Sequence, residues 1–135
     1  MNRKKLSLVE RVFLLKNTPP FDILEDQELM NIAEVLTVWT VPEGEPVQNA
    51  GSPVNDMIIL ADGHVVDHNG ATSLKILGVN ALLRGTAADE TLRAGNGGAL
   101  ILKLEKGHFF TTVYECSGLL VAFMTLLNQQ EPYFI

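Results

Sequence analysis

The first third of the chain carries apolar residues at the spacing of an α-helix. The spacing predicts one helix over residues 6–16, which ends at "NTPPF" because proline cannot continue a helix. A second helix is predicted to begin at Glu25 and Asp26, since acidic residues favour a helix N-terminus. The predicted apolar faces are Leu6, Val9, Val12, Phe13 and Leu15 in the first helix and Leu29, Ile32, Ala33 and Leu36 in the second, with Glu10, Arg11 and Lys16 facing outward.

After Leu36 the apolar period falls to two, which is typical of half-buried strands. "LTVWTV" predicts a strand, "ADGHV" a hairpin through Asp62 and Gly63, and "SLKIL" and "GALILKL" further strands, with the glycines of 95–98 as a turn. Helical spacing returns from Phe109. This order of helices, short strands and helices predicts one domain over 1–135. It has helices in 6–36, a β-roll in 37–104 and helices in 107–128.

Composition limits the classes of function. The 135 residues are 47% apolar and 19% charged, as expected of a globular domain. A net charge of −6 argues against nucleic acid as a partner, because phosphate backbones need clustered cations. The apolar run at 118–127 is shorter than the roughly 20 residues that a membrane span needs, and Glu10 and Arg11 interrupt any signal peptide. We therefore expect a cytoplasmic protein with no inserted segment.

No pattern of catalytic or metal-binding residues is visible in the sequence. His64 and His68 would share a strand face but lie roughly 13 Å apart, too far to share one ion. Cys116 has no basic neighbour in sequence to activate its thiol, and as the single cysteine it cannot form an internal disulfide. Motifs for a nucleophilic serine, a phosphate loop or a dinucleotide fold are missing. We expect a non-enzymatic protein without a cofactor.

A resemblance to a known family extends over most of the chain. "VPEGEPVQNAGSPVNDMIILADGHV" resembles the core motif of cyclic-nucleotide-binding domains, with Gly44, Gly51, Asp56 and Gly63 in step, and "LGVNALLRGTAADETLRAGNGGALILKLEKGHF" resembles the remainder. The resemblance implies a mainly β protein with flanking helices, in which an eight-stranded β-roll adopts the double-stranded β-helix, or jelly-roll-like, fold.

The ligand-binding segment of that family is matched in outline. Members that bind a ligand carry an "FGE.AL" turn and helix, followed by "R[ST]A". The helix-start amides and the arginine hold the cyclic phosphate, and the glutamate holds the ribose 2′-hydroxyl. In this chain Gly78 stands at the glycine of that turn and Val79 at the glutamate, while Ala81 and Leu82 stand in the short helix.

The arginine and its two neighbours fall on Ala88, Asp89 and Glu90, so the phosphate-binding side chain is missing and two carboxylates stand beside its position. A pair of like charges about 4 Å apart repels by about 4 kcal/mol at an effective dielectric of 20. The lost charge-assisted hydrogen bond removes about 1.5–3 kcal/mol more. We therefore predict a degenerate pocket that does not hold a cyclic nucleotide tightly. The alternative is a sensor of a cyclic nucleotide or another anion in a variant pocket at 78–93, held by the amides of 78–83 with Arg84 in support. Arg84 or Arg93 could supply the missing positive charge, unless either pairs with Asp89 or Glu90.

The apolar run near the end of the chain has two open interpretations. A helix that is apolar all round is normally buried, so the β-roll covers it or a second copy does. The resemblance implies a dimer, because the corresponding helix often pairs in that family. It also implies a regulatory module of bacterial origin that acts on a membrane transporter or a helical-repeat protein. The predicted dimer residues are Leu119, Leu120, Phe123, Met124 and Leu127.

Overall fold

The computed structural model describes residues 1–71, 74–126 and 133–135. Its strands are antiparallel and form one sheet in the order β1-β2-β6-β4-β5, with β3 also paired to β6. A mainly β fold with flanking helices is thereby confirmed. The elements are β1 (Asn2–Arg3), α1 (Leu8–Lys16), a 3-10 turn (Phe21–Ile23), α2 (Asp26–Val35), β2 (Thr37–Val41), β3 (Pro46–Gln48), β4 (Asp56–Val66), β5 (Ile76–Leu77), α3 (Val79–Arg84), β6 (Leu92–Glu105), α4 (Lys106–Glu115) and α5 (Ser117–Leu126).

Two predicted turns are wrong, and the described residues form six strands where the resemblance implies eight. Asp62 and Gly63 lie inside β4 opposite Leu100 and Ala99, and the register shifts on both sides of them. Gly63 has a φ of +81°, and a Cβ there would collide with the carbonyl oxygen of Gly98. Gly63 in β4 and Gly98 in β6 therefore allow the two main chains to approach closely and to form bulges. They do not reverse the direction of the chain.

The helix α1 begins and packs through polar contacts that its pattern only partly predicts. Ser7 forms a capping box with Glu10, whose amide donates to the Ser7 hydroxyl oxygen at 3.1 Å. Arg11 does not face outward: its Nη1 donates to the carbonyls of Ala33 at 2.8 Å and Leu36 at 3.3 Å. It binds two carbonyls at the end of α2, of which the Ala33 oxygen also accepts from the Leu36 amide at 3.4 Å, and so joins the two helices.

The predicted apolar face of α1 is correct at Leu6, Val12 and Leu15 and wrong at Val9 and Phe13. Val9 and Phe13 are largely exposed, whereas Leu15 is fully buried. Leu8, Val12 and Leu14 pack at the margin of the core. α1 packs against α2, and helical periodicity does not specify which side of a helix its neighbour will cover.

The last helical region consists of two helices, α4 and α5. α4 and α5 meet at Cys116 with a bend of 100°, and no single helix among the described residues is long and apolar enough to cross a membrane. Phe123 of α5 packs edge-on against Phe21 at 6.0 Å and Phe134 at 5.0 Å between ring centroids. The apolar run is thus buried on one side by the domain itself.

Candidate functional site

A pocket of about 320 Å³ lies beside α3, at the position where the sequence predicts a ligand. Residues from α3, from the loop before β6 and from β3 form its walls. Two of the predicted residues do not face it: Val79 and Leu82 are 1% and 3% exposed and belong to the core. The other six predicted residues line it, namely Gly78, Ala81, Arg84, Ala88, Asp89 and Glu90, together with Gln48, Asn80, Thr86, Ala87 and Ile135.

Gly78 shapes the pocket because it sets how the chain turns from β5 into α3. Its φ is +93°, which L side chains rarely adopt, and a Cβ would lie 2.7 Å from the main-chain oxygen of Asp56. The amide of Leu82 donates to the Gly78 carbonyl at 2.9 Å and forms the first turn of α3. The close approach to Asp56 permits only glycine here.

The position predicted for the phosphate arginine is occupied by an alanine whose main chain is fully engaged. Ala88 is 7% exposed. Its amide donates to the Ser52 carbonyl at 3.0 Å, and its carbonyl accepts from the Gly51 amide at 2.8 Å. The loop is therefore held firmly against the β-roll without supplying a cation.

The carboxylates of Asp89 and Glu90 and the guanidinium of Arg84 border this pocket. The Oε2 atom of Glu90 lies 3.6 Å from Nδ1 of the exposed His68, and the Glu90 main-chain oxygen accepts from Gln48 Nε2 at 3.0 Å. Asp89 is exposed. Arg84 forms no ion pair with a residue in 1–71, 74–126 or 133–135. One positive and two negative side chains give the pocket a net negative charge, which opposes an anionic ligand.

Arg93, the other cation near the predicted pocket, points elsewhere. It is exposed on β6, and its Nη1 donates to the carbonyl of Gly44 at 3.2 Å. Only Arg84 is therefore placed to support an anion in this part of the structure.

The sequence does not predict that Ile135 forms part of the pocket. The amide of Asn80, in the first turn of α3, donates to the main-chain oxygen of Ile135 at 3.1 Å. Ile135 also forms part of the pocket wall. The only signal in the sequence is the apolar run of Tyr133, Phe134 and Ile135, and nothing local in it indicates its docking position.

The predicted dimer residues do not form one exposed face. Leu119 and Phe123 are 1% and 2% exposed inside the core, Leu120 is half-buried, and Met124 is 65% exposed. Leu127 lies outside the described residues. The dimer stays a prediction, and within the described part of α5 it would use Met124 and Val121.

Cys116 sits at the bend between α4 and α5. Its thiol donates to Oε2 of Glu28 at 3.0 Å. Burial, followed by this hydrogen bond and the Glu28 charge, raises the pKa of the Cys116 thiol from 9.0 to about 11. The same hydrogen bond lowers the pKa of Glu28, so the proton stays on the sulfur. A thiol held protonated is a poor nucleophile.

No model of a known protein family matches the chain, and no curated protein matches its sequence. Solved structures do match. The regulatory domain of Toxoplasma gondii PKA with cAMP is 16% identical, with a TM-score of 0.73 over 87% of this chain and 49% of that one. A triple mutant of the regulatory subunit of a cAMP-independent protein kinase A from Trypanosoma brucei, bound to cAMP, is 17% identical, with a TM-score of 0.74 over 91% and 49%.

A third similar structure, the regulatory subunit of a cAMP-independent protein kinase A from Trypanosoma cruzi bound to guanosine, is 18% identical, with a TM-score of 0.69 over 88% of this chain and 46% of that one. The chain spans about half the length of these three structures. Likeness at this level shows the fold: the chain has the β-roll of cyclic-nucleotide-binding domains.

Proposed function

We propose that this chain is a non-catalytic regulatory or protein-interaction module that does not bind a cyclic nucleotide tightly. The observation that carries the proposal is Ala88, a buried alanine at the position predicted for the phosphate arginine, with Asp89 and Glu90 directly after it. Val79, at the predicted glutamate position, is turned into the core and offers no group to a ribose.

The energetic argument follows from these side chains. A phosphate in this pocket would meet two carboxylates and one arginine. At an effective dielectric near 20, a unit charge about 4 Å from the phosphate contributes about 4 kcal/mol. Arg84 offsets one of the two carboxylates. The repulsion from the other exceeds the gain of about 1.5–3 kcal/mol from one charge-assisted hydrogen bond. The difference, about 1–2.5 kcal/mol, disfavours binding by roughly 5- to 60-fold, since each 1.4 kcal/mol is tenfold.

The proposed partner is another protein in the cytoplasm. Two exposed apolar pairs support this idea: Val9 and Phe13, four residues apart on α1, and Val121 and Met124, three residues apart on α5. Exposed apolar residues on one helix face mark contact surfaces. The proposed partner is a membrane transporter, a helical-repeat protein or a second copy of the chain. The first two are proposed by analogy with the family resemblance alone.

A thermal melt with cyclic AMP or cyclic GMP at a few millimolar tests the proposal. A ligand at 100 times its dissociation constant stabilises a fold by about 2.7 kcal/mol, so binding would raise the melting temperature by several degrees. We expect no shift for the natural chain. Ala88→Arg combined with Asp89→Ser restores the predicted arginine and removes one carboxylate, and serves as the matched gain-of-function variant. A clear shift with the natural chain would contradict the proposal.

A ligand sensor is the second candidate function, and the position of Arg84 at the pocket favours it. Guanosine, found in the Trypanosoma cruzi structure, carries no phosphate and would not meet the carboxylate repulsion. The same melt with guanosine and with inorganic phosphate therefore separates a neutral nucleoside from an anion. A shift with phosphate that Arg84→Ala abolishes would establish the anion sensor, and one with guanosine alone would establish a nucleoside site.

A further inference from the structure

The strand β1 lies at one end of the sheet, and its outer side is open. Within the described part of the chain it pairs with β2 alone, with Arg3 opposite Trp39. The Lys4 amide continues this ladder and donates to the Val38 carbonyl at 2.9 Å. Main-chain groups of an antiparallel strand point alternately toward the partner and away from it, so the N–H and C=O of Arg3 face the open side. A further strand can therefore pair with β1.

Two cations lie over the ring of Trp39. Arg3 Cζ and Lys103 Nζ are each 5.1 Å from the ring centroid, a distance at which an aromatic ring attracts a cation. The indole Nε1 donates to the Thr37 hydroxyl oxygen at 2.9 Å, which fixes the ring. Neither cation forms an ion pair with a residue in 1–71, 74–126 or 133–135. The ring thus orients two positive groups whose charge is available to a partner.

Positive charge is present on both faces of β1. Arg3, Lys4 and Lys5 are consecutive and exposed, and they are three of the ten lysines and arginines in a chain of net charge −6. Side chains alternate along a strand, so Arg3 lies on the Trp39 side and Lys4 on the opposite side, where it borders a cavity with Asp62 but forms no ion pair with it. We call Arg3, Lys4 and Lys5, with Trp39 and Lys103, the basic edge.

A second copy of the chain does not fit the basic edge. Two β1 strands side by side would place Arg3, Lys4 and Lys5 of one copy against the same residues of the other, and like charges opposite each other destabilise paired strands. A strand with acidic side chains fits instead, because it brings carboxylates to the cations and main-chain groups to the open side of β1. Charge and the open edge therefore favour the same kind of partner.

We propose that the basic edge binds an extended acidic segment of a partner protein, which adds to the sheet as a strand beside β1. Its carboxylates pair with Arg3 on one face and with Lys4 on the other, and Lys103 adds to the positive field at Trp39. This rests on the proposed function, because it names the surface and the partner class of an interaction module. It involves neither the pocket beside α3 nor the exposed residues of α5.

Titration of the full chain with a fluorescein-labelled peptide that alternates glutamate and valine tests the proposal. Peptide anisotropy measures the affinity, and the emission of Trp39, the single tryptophan, reports on the site. We expect saturable binding that weakens as salt is added, because the charges are exposed. NMR should show slower hydrogen exchange at the Arg3 amide, which gains a partner, and no change at the Lys4 amide, which is already bonded to Val38.

Matched peptides and variants separate charge from strand pairing. A lysine–valine peptide reverses the charge and should not bind. A glutamate–proline peptide keeps the carboxylates, but its prolines obstruct pairing as a strand, so it should bind more weakly. Arg3→Gln combined with Lys4→Gln should weaken binding of the glutamate–valine peptide about tenfold, as expected for two exposed ion pairs. Lys16→Gln, at an exposed position at the end of α1, should leave the affinity unchanged.

Four results would overturn the proposal. Absence of binding at millimolar peptide would mean that the basic edge does not recognise carboxylates. Equal affinity for the glutamate–proline peptide would mean that no strand is added. Unchanged affinity in the Arg3→Gln and Lys4→Gln variant would place the peptide elsewhere. Tighter binding of single-stranded DNA would mean that the edge recognises phosphate. The nucleotide melts use a different site, so failure of the basic edge and failure of the proposed function are distinguishable.

Discussion

Replacing either glycine that bounds α3 by alanine should separate a steric requirement from a conformational one. Gly78 precedes the helix and Gly85 follows it, with φ values of +93° and +68°. Alanine at Gly78 would place its Cβ 2.7 Å from the Asp56 main-chain oxygen and 3.1 Å from Val54 Cγ1, whereas at Gly85 no heavy atom lies within 4 Å. The pair is therefore matched in backbone conformation and differs in the space available.

The expected magnitudes follow from these distances. A left-handed conformation costs an L residue about 1–2 kcal/mol, and this is the whole expected loss for Gly85→Ala. Gly78→Ala carries the same cost and must also displace main chain, which adds about 1–3 kcal/mol. Unfolding entropy near 2.1 cal/mol/K per residue makes each kcal/mol worth about 3.5 °C for a chain of this length. We expect melting temperatures lower by about 4–7 °C for Gly85→Ala and about 7–17 °C for Gly78→Ala.

Thermal unfolding followed by circular dichroism measures both losses, and urea denaturation provides the free energy directly. Equal losses for the two variants would refute the close approach of Gly78 to Asp56. The turn into α3 would then differ from the one described, and the placement of Ala88, Asp89 and Glu90 around the pocket would lose its support.

Three further predictions concern the helices. Arg11→Ala removes two hydrogen bonds to the end of α2 and should lower the free energy of unfolding by about 1–3 kcal/mol in urea, whereas Lys16→Ala, in an exposed ion pair, should change it by less than about 0.5 kcal/mol. Because the pKa of Cys116 is raised to about 11 in the folded state, its own contribution to stability should be fully present below pH 9 and be lost between pH 9 and 11; a thiol reagent at pH 8 should label the folded chain about 100-fold more slowly than the unfolded one, and Glu28→Gln should speed labelling. If α5 forms a dimer, light scattering at tens of micromolar should show it for the natural chain and a monomer for Met124→Asp; a natural chain that is monomeric throughout would remove the dimer.

Much of the fold could be predicted from the sequence because its signals are local. The helical period before Leu36, the period of two after it and the return of helical spacing at Phe109 each reflect neighbours a few residues apart. The turn at Gly78 was predicted by the family resemblance, and the steric contact with Asp56 explains why it is a glycine. The loss of the arginine and the glutamate at the two positions that the resemblance implies was visible in the sequence as Ala88 and Val79.

The rest depended on contacts between distant residues. Gly63 and Gly98 look like turn glycines in sequence, but the strands cross closely there and only a residue without a Cβ fits. Arg11 looks like an outward charge until α2 brings two carbonyls within its reach. Residues 133–135 carry no local signal for their docking site, since their partner is the edge of β5, more than 50 residues earlier in the chain.

Periodicity and composition predict the helical and strand regions, the acidic charge and the side chains near the candidate pocket, because each reflects residues close together in the chain. Three features depend instead on how distant segments pack: Val79 and Leu82 face the core, Leu119 and Phe123 are buried, and the Ile135 main-chain oxygen accepts from the Asn80 amide. Burial and hydrogen bonding depend on which distant segments meet, and a one-dimensional pattern does not specify that meeting.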